Sequence, residues 1–184
     1  LENKKLDPIF VDLQKKSVDD DYNAIVKYFK QNYEANLIKS KLNNTMSPPF
    51  DYLNHKGANT KLEDLKGKYV YIDVWATWCG PCRVEIPSLK QIEEKYHDKN
   101  IAFVSISVDV DKDFEKWKTF VTDKELGGIQ LFSDKNWNSD FMKGYGINSI
   151  PRFILIDPTG KVVKADALRP SNPELQKELD ALLN

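Results

Sequence analysis

The sequence predicts one α/β domain, built on a central mixed β-sheet with helices on both faces and preceded by an N-terminal helical extension. Dense apolar runs alternate with amphipathic patterns, as expected for strands and helices that follow one another along the chain. A turn signal, Asp157-Pro158-Thr159-Gly160, separates the last two predicted strands and makes them antiparallel. The chain has 184 residues, 41% of them apolar, which is enough for one core without disulfide or metal support.

Residues 1–46 are predicted to be helical. Asp7 and Pro8 indicate a helix start, because proline fits the first turn, where its missing N–H has no role. The aspartates at 19–21 suit the positive end of a second helix, whose apolar residues recur at spacings of three and four. We therefore predict a two-helix appendage. A structural extension is the simpler interpretation, and a partner-binding arm is the alternative.

The main domain is predicted to span residues 47–184, because Ser47-Pro48-Pro49 prevents a preceding helix from continuing. Apolar runs rich in β-branched and aromatic residues predict strands at 50–53, 69–75, 101–108, 129–132, 153–156 and 161–164. Helical spacing of apolar residues predicts helices at 62–65 (a single turn), 81–96, 111–121, 136–143 and 173–183.

Composition excludes several classes of function. The 27 basic and 28 acidic residues give a net charge of -1, so no basic excess points to nucleic acid. No apolar run approaches the roughly 18 residues that a membrane span needs. The residues after Leu1 show neither the basic region nor the apolar run of a leader peptide. We therefore expect that a leader has been removed or that the sequence belongs to a longer protein.

Both cysteines lie in one pentapeptide, Trp78-Cys79-Gly80-Pro81-Cys82, which follows a predicted buried strand and opens a helix. The free N–H groups and the dipole of a helix start stabilise a thiolate at Cys79. Cys82 lies one helical turn further on, within reach for a disulfide. The alternatives are two inert core cysteines or half of a zinc site. A zinc site needs two further ligands, and the only histidines, His55 and His97, are distant in sequence, so we expect no metal.

Two acidic residues fall where burial is predicted. Asp73 lies inside the apolar run at 69–75, where an ionised carboxylate is costly and protonation near neutral pH is favoured. Glu85 lies on the predicted inward face of the helix. That face also carries the second cysteine and apolar side chains: Cys82, Leu89, Ile92 and Tyr96. Two buried carboxylates near Cys82 would form a proton relay for its thiol. The alternative for each is a neutral or ion-paired side chain with a structural role.

Three further aspartates, Asp109, Asp111 and Asp113, have the spacing of the first ligands of a calcium loop. Phe114 and Phe120 stand where such a loop needs glycine and glutamate. We interpret the three as a strand end and a helix cap.

The pentapeptide resembles the active site of thioredoxin. The longer run from Tyr71 to Pro87 resembles the bacterial thiol–disulfide oxidoreductases of the TlpA/ResA type, which are related to the AhpC/TSA group. The resemblance extends from about residue 47 to the C-terminus and includes Lys66-Gly67-Lys68 and Ile150-Pro151. Helical segments such as residues 1–46 resemble those that precede this domain in Bacteroidetes-type proteins. The resemblance implies a thioredoxin-like fold.

The resemblance also implies roles for individual residues. Cys79 would attack a substrate disulfide, and Cys82 would resolve the mixed disulfide while Asp73 and Glu85 exchange its proton. Pro151 would follow a cis peptide bond and face the cysteine turn. The residues expected to contact substrate are Trp78, Gly80, Pro81, Ile150 and Pro151.

The function predicted in this way is that of a thiol–disulfide oxidoreductase that reduces protein disulfides in the periplasm or cell envelope of a bacterium. Its expected partners are disulfide-bonded proteins, apocytochrome c among the candidates, and an upstream dithiol reductant. No flavin, nicotinamide or metal motif is present, so we expect no cofactor. One alternative is a peroxiredoxin-like peroxidase, although Ala76-Thr77-Trp78-Cys79 lacks the usual context of a peroxidatic cysteine. Another is a copper or haem-apoprotein chaperone of the same fold.

Overall fold

The structure is a computed structural model that describes residues 7–183, apart from the side chains of Pro8, Phe10 and Val11. Its strands are β1 (Asp51–Asn54), β2 (Asn59–Lys61), β3 (Tyr69–Trp75), β4 (Ile101–Ser107), β5 (Ile129–Phe132), β6 (Arg152–Ile156) and β7 (Val162–Lys164). Its α-helices are α1 (Pro8–Leu42), α2 (Gly80–Lys95), α3 (Phe114–Asp123), α4 (Asp140–Gly144) and α5 (Pro173–Leu183). Short 3₁₀ turns occupy Leu62–Leu65, Asp111–Asp113 and Asn136–Asn138.

The strands form one mixed sheet in the order β2-β1-β5-β4-β3-β6-β7. The three central strands, β5, β4 and β3, are parallel, whereas β6 runs antiparallel to β3 and β1 runs antiparallel to β5. Both faces of β3 are covered, so its side chains are almost all buried. The predicted fold class, a thioredoxin-like mixed sheet with helices on both faces, is confirmed.

Two apolar layers pack against the sheet. Alternate residues of β3 point to opposite faces, as the period of a strand requires. One layer joins Tyr71 to the helices α2 and α5 through Leu89, Ile92, Leu175 and Leu179. The other joins Val70, Ile72 and Val74 to the helices α3 and α4 through Trp117, Val121, Phe141 and Met142. The end of β3 and the start of α2 are thereby fixed from both sides.

The described part of the N-terminal extension contains one continuous helix, so the prediction of two helices in this segment is wrong. α1 has 35 residues and begins where predicted: the side chain of Asp7 caps it by accepting a hydrogen bond from the Ile9 N–H at 2.8 Å. The aspartates at 19–21 lie in its interior. No glycine or proline occurs between Pro8 and Pro48, so nothing in the backbone interrupts the helix. Residues 1–6 of the predicted extension lie outside the described part of the chain.

Among the described side chains of α1, those in its last part contact the domain. Residues 12–31 are exposed, and Ala35 is the first of the described side chains to be buried. After the helix, the chain pairs with β7: the Asn44 N–H donates to the Val162 carbonyl at 2.7 Å, and the Val162 N–H donates to the Thr45 carbonyl at 2.8 Å. The segment that follows α1 is therefore tied to the edge of the sheet.

The remaining differences from the predicted elements are small. β2 was not predicted, because Asn59-Thr60-Lys61 is a polar edge strand without an apolar pattern. The helix predicted at 136–143 is a 3₁₀ turn followed by α4, and the helix predicted at 111–121 begins as a 3₁₀ turn. Between Asp7 and Leu183, no helix combines the length and the hydropathy needed to cross a membrane.

Candidate active site

Cys79 and Cys82 form a disulfide at the N-terminus of α2, with their Cα atoms 5.3 Å apart. Cys79 is the N-cap residue, and its Sγ accepts a hydrogen bond from the Cys82 N–H at 3.2 Å. Gly80 and Pro81 form the first turn, where proline needs no hydrogen-bond acceptor. The same N–H and the helix dipole would stabilise negative charge on Cys79 Sγ after reduction. The geometry therefore favours a thiolate at Cys79.

The cysteine pair is buried but lies beside an exposed aromatic residue. Cys79 and Cys82 are each 4% exposed, whereas Trp78 is 54% exposed. A large apolar side chain at the rim of the site offers contact area to an incoming polypeptide.

The segment before β6 lies at the same edge of the sheet. The Ile150–Pro151 peptide bond is cis, as expected from the resemblance. Arg152 pairs in register with Val74 near the end of β3, and half-buried Ile150 packs against the apolar cluster that includes both cysteines. Ile150 and Pro151 are thus brought towards the cysteine turn, and their contact with substrate stays a prediction.

Asp73 is buried in the middle of β3, and its side chain lines a narrow cleft together with Cys82. The carboxyl group makes no hydrogen bond with any other group in the described residues. Burial raises the pKa of Asp73, the negative charges of Glu93 and then Glu85 contribute to the rise, and together they bring it to about 8. An acid of this kind can exchange a proton with a thiol near neutral pH.

Glu85 is buried as predicted, but its carboxylate is already paired. It accepts hydrogen bonds from the Ser171 N–H and from the Ser171 hydroxyl, both at 3.0 Å. Arg169 Nη1 lies 3.8 Å from Glu85 Oε1. Glu85 thus links α2 to the segment before α5, which is the ion-paired alternative considered from the sequence. Direct proton exchange between Glu85 and Cys82 stays a prediction.

The structure adds Asp109, which the sequence indicated only as a strand end. This carboxylate is fully buried and accepts hydrogen bonds from the Thr77 N–H at 2.9 Å and the Thr77 hydroxyl at 2.8 Å. It also accepts a hydrogen bond from the Ser107 hydroxyl at 2.7 Å. Asp109 therefore anchors the loop that leads from β3 to Trp78 and Cys79. An acidic residue directly after a dense apolar strand was the available signal.

Glu93 was missed as well. This half-buried side chain lies on α2, and burial raises its pKa to about 7 against the opposing effect of the Lys90 charge. It lines the cleft that contains Asp73 and Cys82. Glu93 lies four residues after Leu89, on the inward face. That spacing was the signal for a second acidic residue on the face.

Comparison with known proteins agrees with this geometry. The Redoxin family model matches residues 41–183. The thiol-disulfide oxidoreductase ResA of Bacillus thuringiensis subsp. konkukian is 30% identical over 133 residues, covering 72% of this chain and 74% of that protein. The thioredoxin-like protein YneN of Bacillus subtilis is 29% identical over 135 residues, covering 73% of this chain and 76% of that protein.

Two solved structures from Bacteroides vulgatus are also similar. The thioredoxin domain of a thiol-disulfide oxidoreductase superposes with a TM-score of 0.69 at 30% identity, covering 77% of this chain and 98% of that one. A candidate thiol-disulfide oxidoreductase superposes with a TM-score of 0.67 at 48% identity, covering 77% and 91%. The disulfide at the start of α2, the mixed sheet and these similarities agree, and the chain belongs to the Redoxin family as a thioredoxin-fold enzyme of the TlpA/ResA type, a group of thiol-disulfide oxidoreductases.

Proposed function

We propose that the Cys79–Cys82 pair cycles between dithiol and disulfide and reduces disulfides in protein substrates of the bacterial cell envelope. The observation that carries the proposal is the position of the pair: Cys79 caps α2 and receives an N–H, while Cys82 is buried beside Asp73. The sulfur of Cys79 is thus prepared to attack, and the sulfur of Cys82 has a proton acceptor, Asp73, near it.

The first step uses Cys79. Its thiolate attacks one sulfur of the substrate disulfide, a Cys79–substrate bond forms, and the second substrate sulfur leaves as a thiolate that takes a proton from solvent. The N-terminus of α2 stabilises the attacking thiolate before the bond forms.

The second step uses Cys82. Its thiol gives a proton to the Asp73 carboxylate, and the resulting thiolate attacks Cys79 Sγ. The Cys79–Cys82 disulfide forms, the Cys79–substrate bond breaks, and the substrate is released with both of its sulfurs reduced. An upstream dithiol then reopens the disulfide, and Asp73 returns the proton to Cys82. Glu85 contributes through its negative charge, which raises the pKa of Asp73.

Substrate recognition is assigned to the rim of the site. Trp78 offers an exposed apolar face, and the backbone before Pro151 offers groups for strand-like pairing with an extended peptide. Gly80 and Pro81 add no bulky side chain between the two cysteines, so a polypeptide can approach the sulfur of Cys79.

We infer that the reaction runs in the reducing direction and takes place in the cell envelope. Gly-Pro between the cysteines resembles thioredoxin, a reductant. The similarity to ResA favours the cell envelope, where proteins with newly formed disulfides, apocytochrome c among the candidates, would be clients. An upstream dithiol protein would supply the electrons.

The test combines a potential with two variants. Equilibration with glutathione or dithiothreitol should give a reduction potential nearer to about -270 mV, as in thioredoxin, than to about -120 mV, as in DsbA. Cys79→Ser should abolish insulin reduction, and Cys82→Ser should accumulate mixed disulfides with a substrate. A Cys82→Ser protein that forms no adduct would overturn the assigned order of attack, and a potential near the DsbA value would overturn the direction.

A further inference from the structure

A row of polar residues crosses the sheet beneath α2, where apolar residues would be expected. Asp73 of β3 is in register with Ser105 of β4, and Ser105 is in register with Gln130 of β5. Cross-strand partners point to the same face of a sheet, so the three side chains lie side by side. All three line the cleft that reaches Cys82. The row therefore leads from the buried cysteine towards the edge of α2.

Glu93 lies where this row meets the surface. Glu93, Lys90 and Gly127 line the inner cleft, and the same three residues also line a wider open groove outside it. The outer groove is also bordered by further charged and titratable residues: Lys68, Glu94, Tyr96, His97 and Glu125. Glu93 is thus the carboxyl group that stands between the buried polar row and solvent.

Two glycines make room for this carboxylate. A Cβ atom on Gly127 would collide with Glu93 Oε2, and a Cβ atom on Gly128 would lie 2.9 Å from Glu93 Oε1. Any other residue at either position would push the Glu93 carboxyl group out of its place. The loop between α3 and β5 therefore leaves space at this carboxyl group.

Two residues that line the cleft carry buried polar atoms without a partner in the described part of the chain. Trp75 Nε1 and Gln130 Oε1 are buried and form no hydrogen bond within residues 7–183, and both residues line the cleft. Buried polar atoms of this kind are usually satisfied by ordered water, and carboxyl groups bridged by water exchange protons. Trp75 and Gln130 line the same cleft as Asp73 and Glu93, so a free donor and a free acceptor for such water belong to the lining that joins the two acids.

We propose that Glu93 acts through Asp73 as the outer group of a proton path that joins Cys82 to solvent, and that it is a positioning residue for resolution of the mixed disulfide. The inference rests on the proposed function, because it assumes that Cys82 resolves and Asp73 accepts its proton. The Cys82 proton passes to the Asp73 carboxylate, from protonated Asp73 to the Glu93 carboxylate, and from Glu93 to solvent. The reverse path reprotonates Cys82 when the disulfide is reopened.

The charges around Asp73 and Glu93 suit this role. The pKa of Asp73 is raised to about 8 and that of Glu93 to about 7, in both cases chiefly by burial, so both groups titrate near neutral pH. The charge of Glu93 raises the pKa of Asp73 more than the charge of Glu85 does, while Lys90 lowers the pKa of Glu93. A proton thus moves between two acids of similar strength, which keeps transfer fast in both directions.

The test is a single turnover of the full chain. Reduced protein is mixed with oxidised glutathione between pH 5.5 and 9, and acid-quenched samples report the mixed disulfide and its resolution separately. In Glu93→Gln, resolution should slow about tenfold, less than the roughly 10²–10⁴-fold expected for a group in direct contact, because Asp73 remains. The pH midpoint of resolution should fall, since the negative charge that raises the pKa of Asp73 is removed. Attack by Cys79 should change less than about twofold.

Two further variants separate this role from a general effect of charge or folding. Glu94→Gln removes the same charge from the exposed neighbouring position of α2 and should change both steps less than about twofold. Gly127→Ala keeps Glu93 but displaces its carboxyl group, and should slow resolution as Glu93→Gln does while its unfolding by urea stays cooperative.

The inference is overturned if Glu93→Gln keeps the rate and pH midpoint of resolution, or if Glu94→Gln has an equal effect. It is also overturned if Glu93→Gln slows the first step as much as the second. Failure of the wild-type protein to react with oxidised glutathione would instead overturn the proposed function, and this inference with it.

Discussion

Asp73 is a carboxyl group placed in a sheet that is otherwise apolar, and its ionisation opposes folding. Its pKa is about 8 in the folded chain, against an ordinary value of 3.8. The folded state binds the proton of Asp73 more tightly than the unfolded state does. The contribution of this group to the free energy of unfolding is therefore greatest below about pH 4 and is lost as the pH rises towards 8. Asp73→Asn removes this loss. We expect the oxidised variant to be more stable than the wild type at pH 8.5 by on the order of 5 kcal/mol.

Urea unfolding at pH 5, 7 and 8.5 measures this difference in the free energy of unfolding. The gain from Asp73→Asn should grow between pH 5 and 8.5, whereas Asp111→Asn, a change at an exposed aspartate, should show no such growth. A gain that is the same at all three pH values would show that Asp73 does not titrate in this range. The same variant should slow resolution at Cys82, because the proton acceptor is lost.

Asp109 is also a buried acid but, unlike Asp73, its carboxylate is held by hydrogen bonds. Its carboxylate is paired with Thr77 and Ser107 rather than isolated. Asp109→Ala would leave the Thr77 N–H and two hydroxyl groups without their acceptor, so we expect a loss of about 3 kcal/mol in the free energy of unfolding. Asp111→Ala, two residues away and exposed, should cost less than about 0.5 kcal/mol. Equal unfolding midpoints for the two variants would contradict the anchoring role.

The environment of a side chain could be predicted from the sequence where adjacent residues in the chain create that environment. The burial of Asp73 follows from the apolar residues on either side of it, and the position of Cys79 follows from the helix that begins there. Glu93 and Asp109 were missed because their surroundings come from elsewhere. Glu93 is enclosed by the loop at Gly127, and Asp109 is paired with Thr77, 32 positions earlier.

At the scale of elements, strands were predicted more accurately than the N-terminal helix. β3 is a dense run of β-branched and aromatic residues that is buried on both faces, and its predicted bounds agree with the structure. Asp19 to Asp21 suggested a helix start, but acidic residues favour a start without requiring one. In a segment without glycine or proline, the helix continues through them.

The loop between α3 and β5 allows two neighbouring glycines to be compared. Gly128 has a φ of +60°, and a Cβ atom there would lie 2.7 Å from the Phe103 carbonyl oxygen, which cannot move. Gly127 meets only the end of the flexible Glu93 side chain. We therefore expect Gly128→Ala to cost about 2–3 kcal/mol of unfolding free energy and Gly127→Ala less than about 1 kcal/mol. Urea denaturation of both variants at one pH measures the difference, and a larger loss for Gly127→Ala would contradict it.

For the whole molecule, the sequence predicted the sheet and the helices on its two faces but not how the extension joins them. The order of strands follows from a parallel pair with a helical crossover and a closing hairpin, which allow few arrangements. Besides the packing of Ala35 and Leu42, the join includes polar contacts with the backbone that leave no apolar pattern. The Asn43 side chain accepts from the Ala165 N–H at 2.9 Å, and Ser47 N–H donates to the Gly160 carbonyl at 2.9 Å.

These contacts predict different outcomes for two truncations. Every described side chain within residues 1–31 is exposed, so we expect removal of this segment to change the free energy of unfolding by less than about 0.5 kcal/mol. Removal of residues 1–46 also deletes the packing of Ala35 and Leu42 and the pairing of Asn43 to Thr45 with the β7 edge. We expect this second protein to fold and to reduce insulin, but with about 3 kcal/mol less stability. Urea unfolding of the two truncated proteins beside the full chain measures both values. Equal free energies of unfolding for the full chain and both truncated proteins would contradict a stabilising contact between the end of α1 and the domain.

The shorter truncation also tests the role of the exposed part of α1. If removal of residues 1–31 leaves stability and insulin reduction unchanged but abolishes reduction of a natural client, the exposed part of α1 is a partner-binding arm rather than a structural extension.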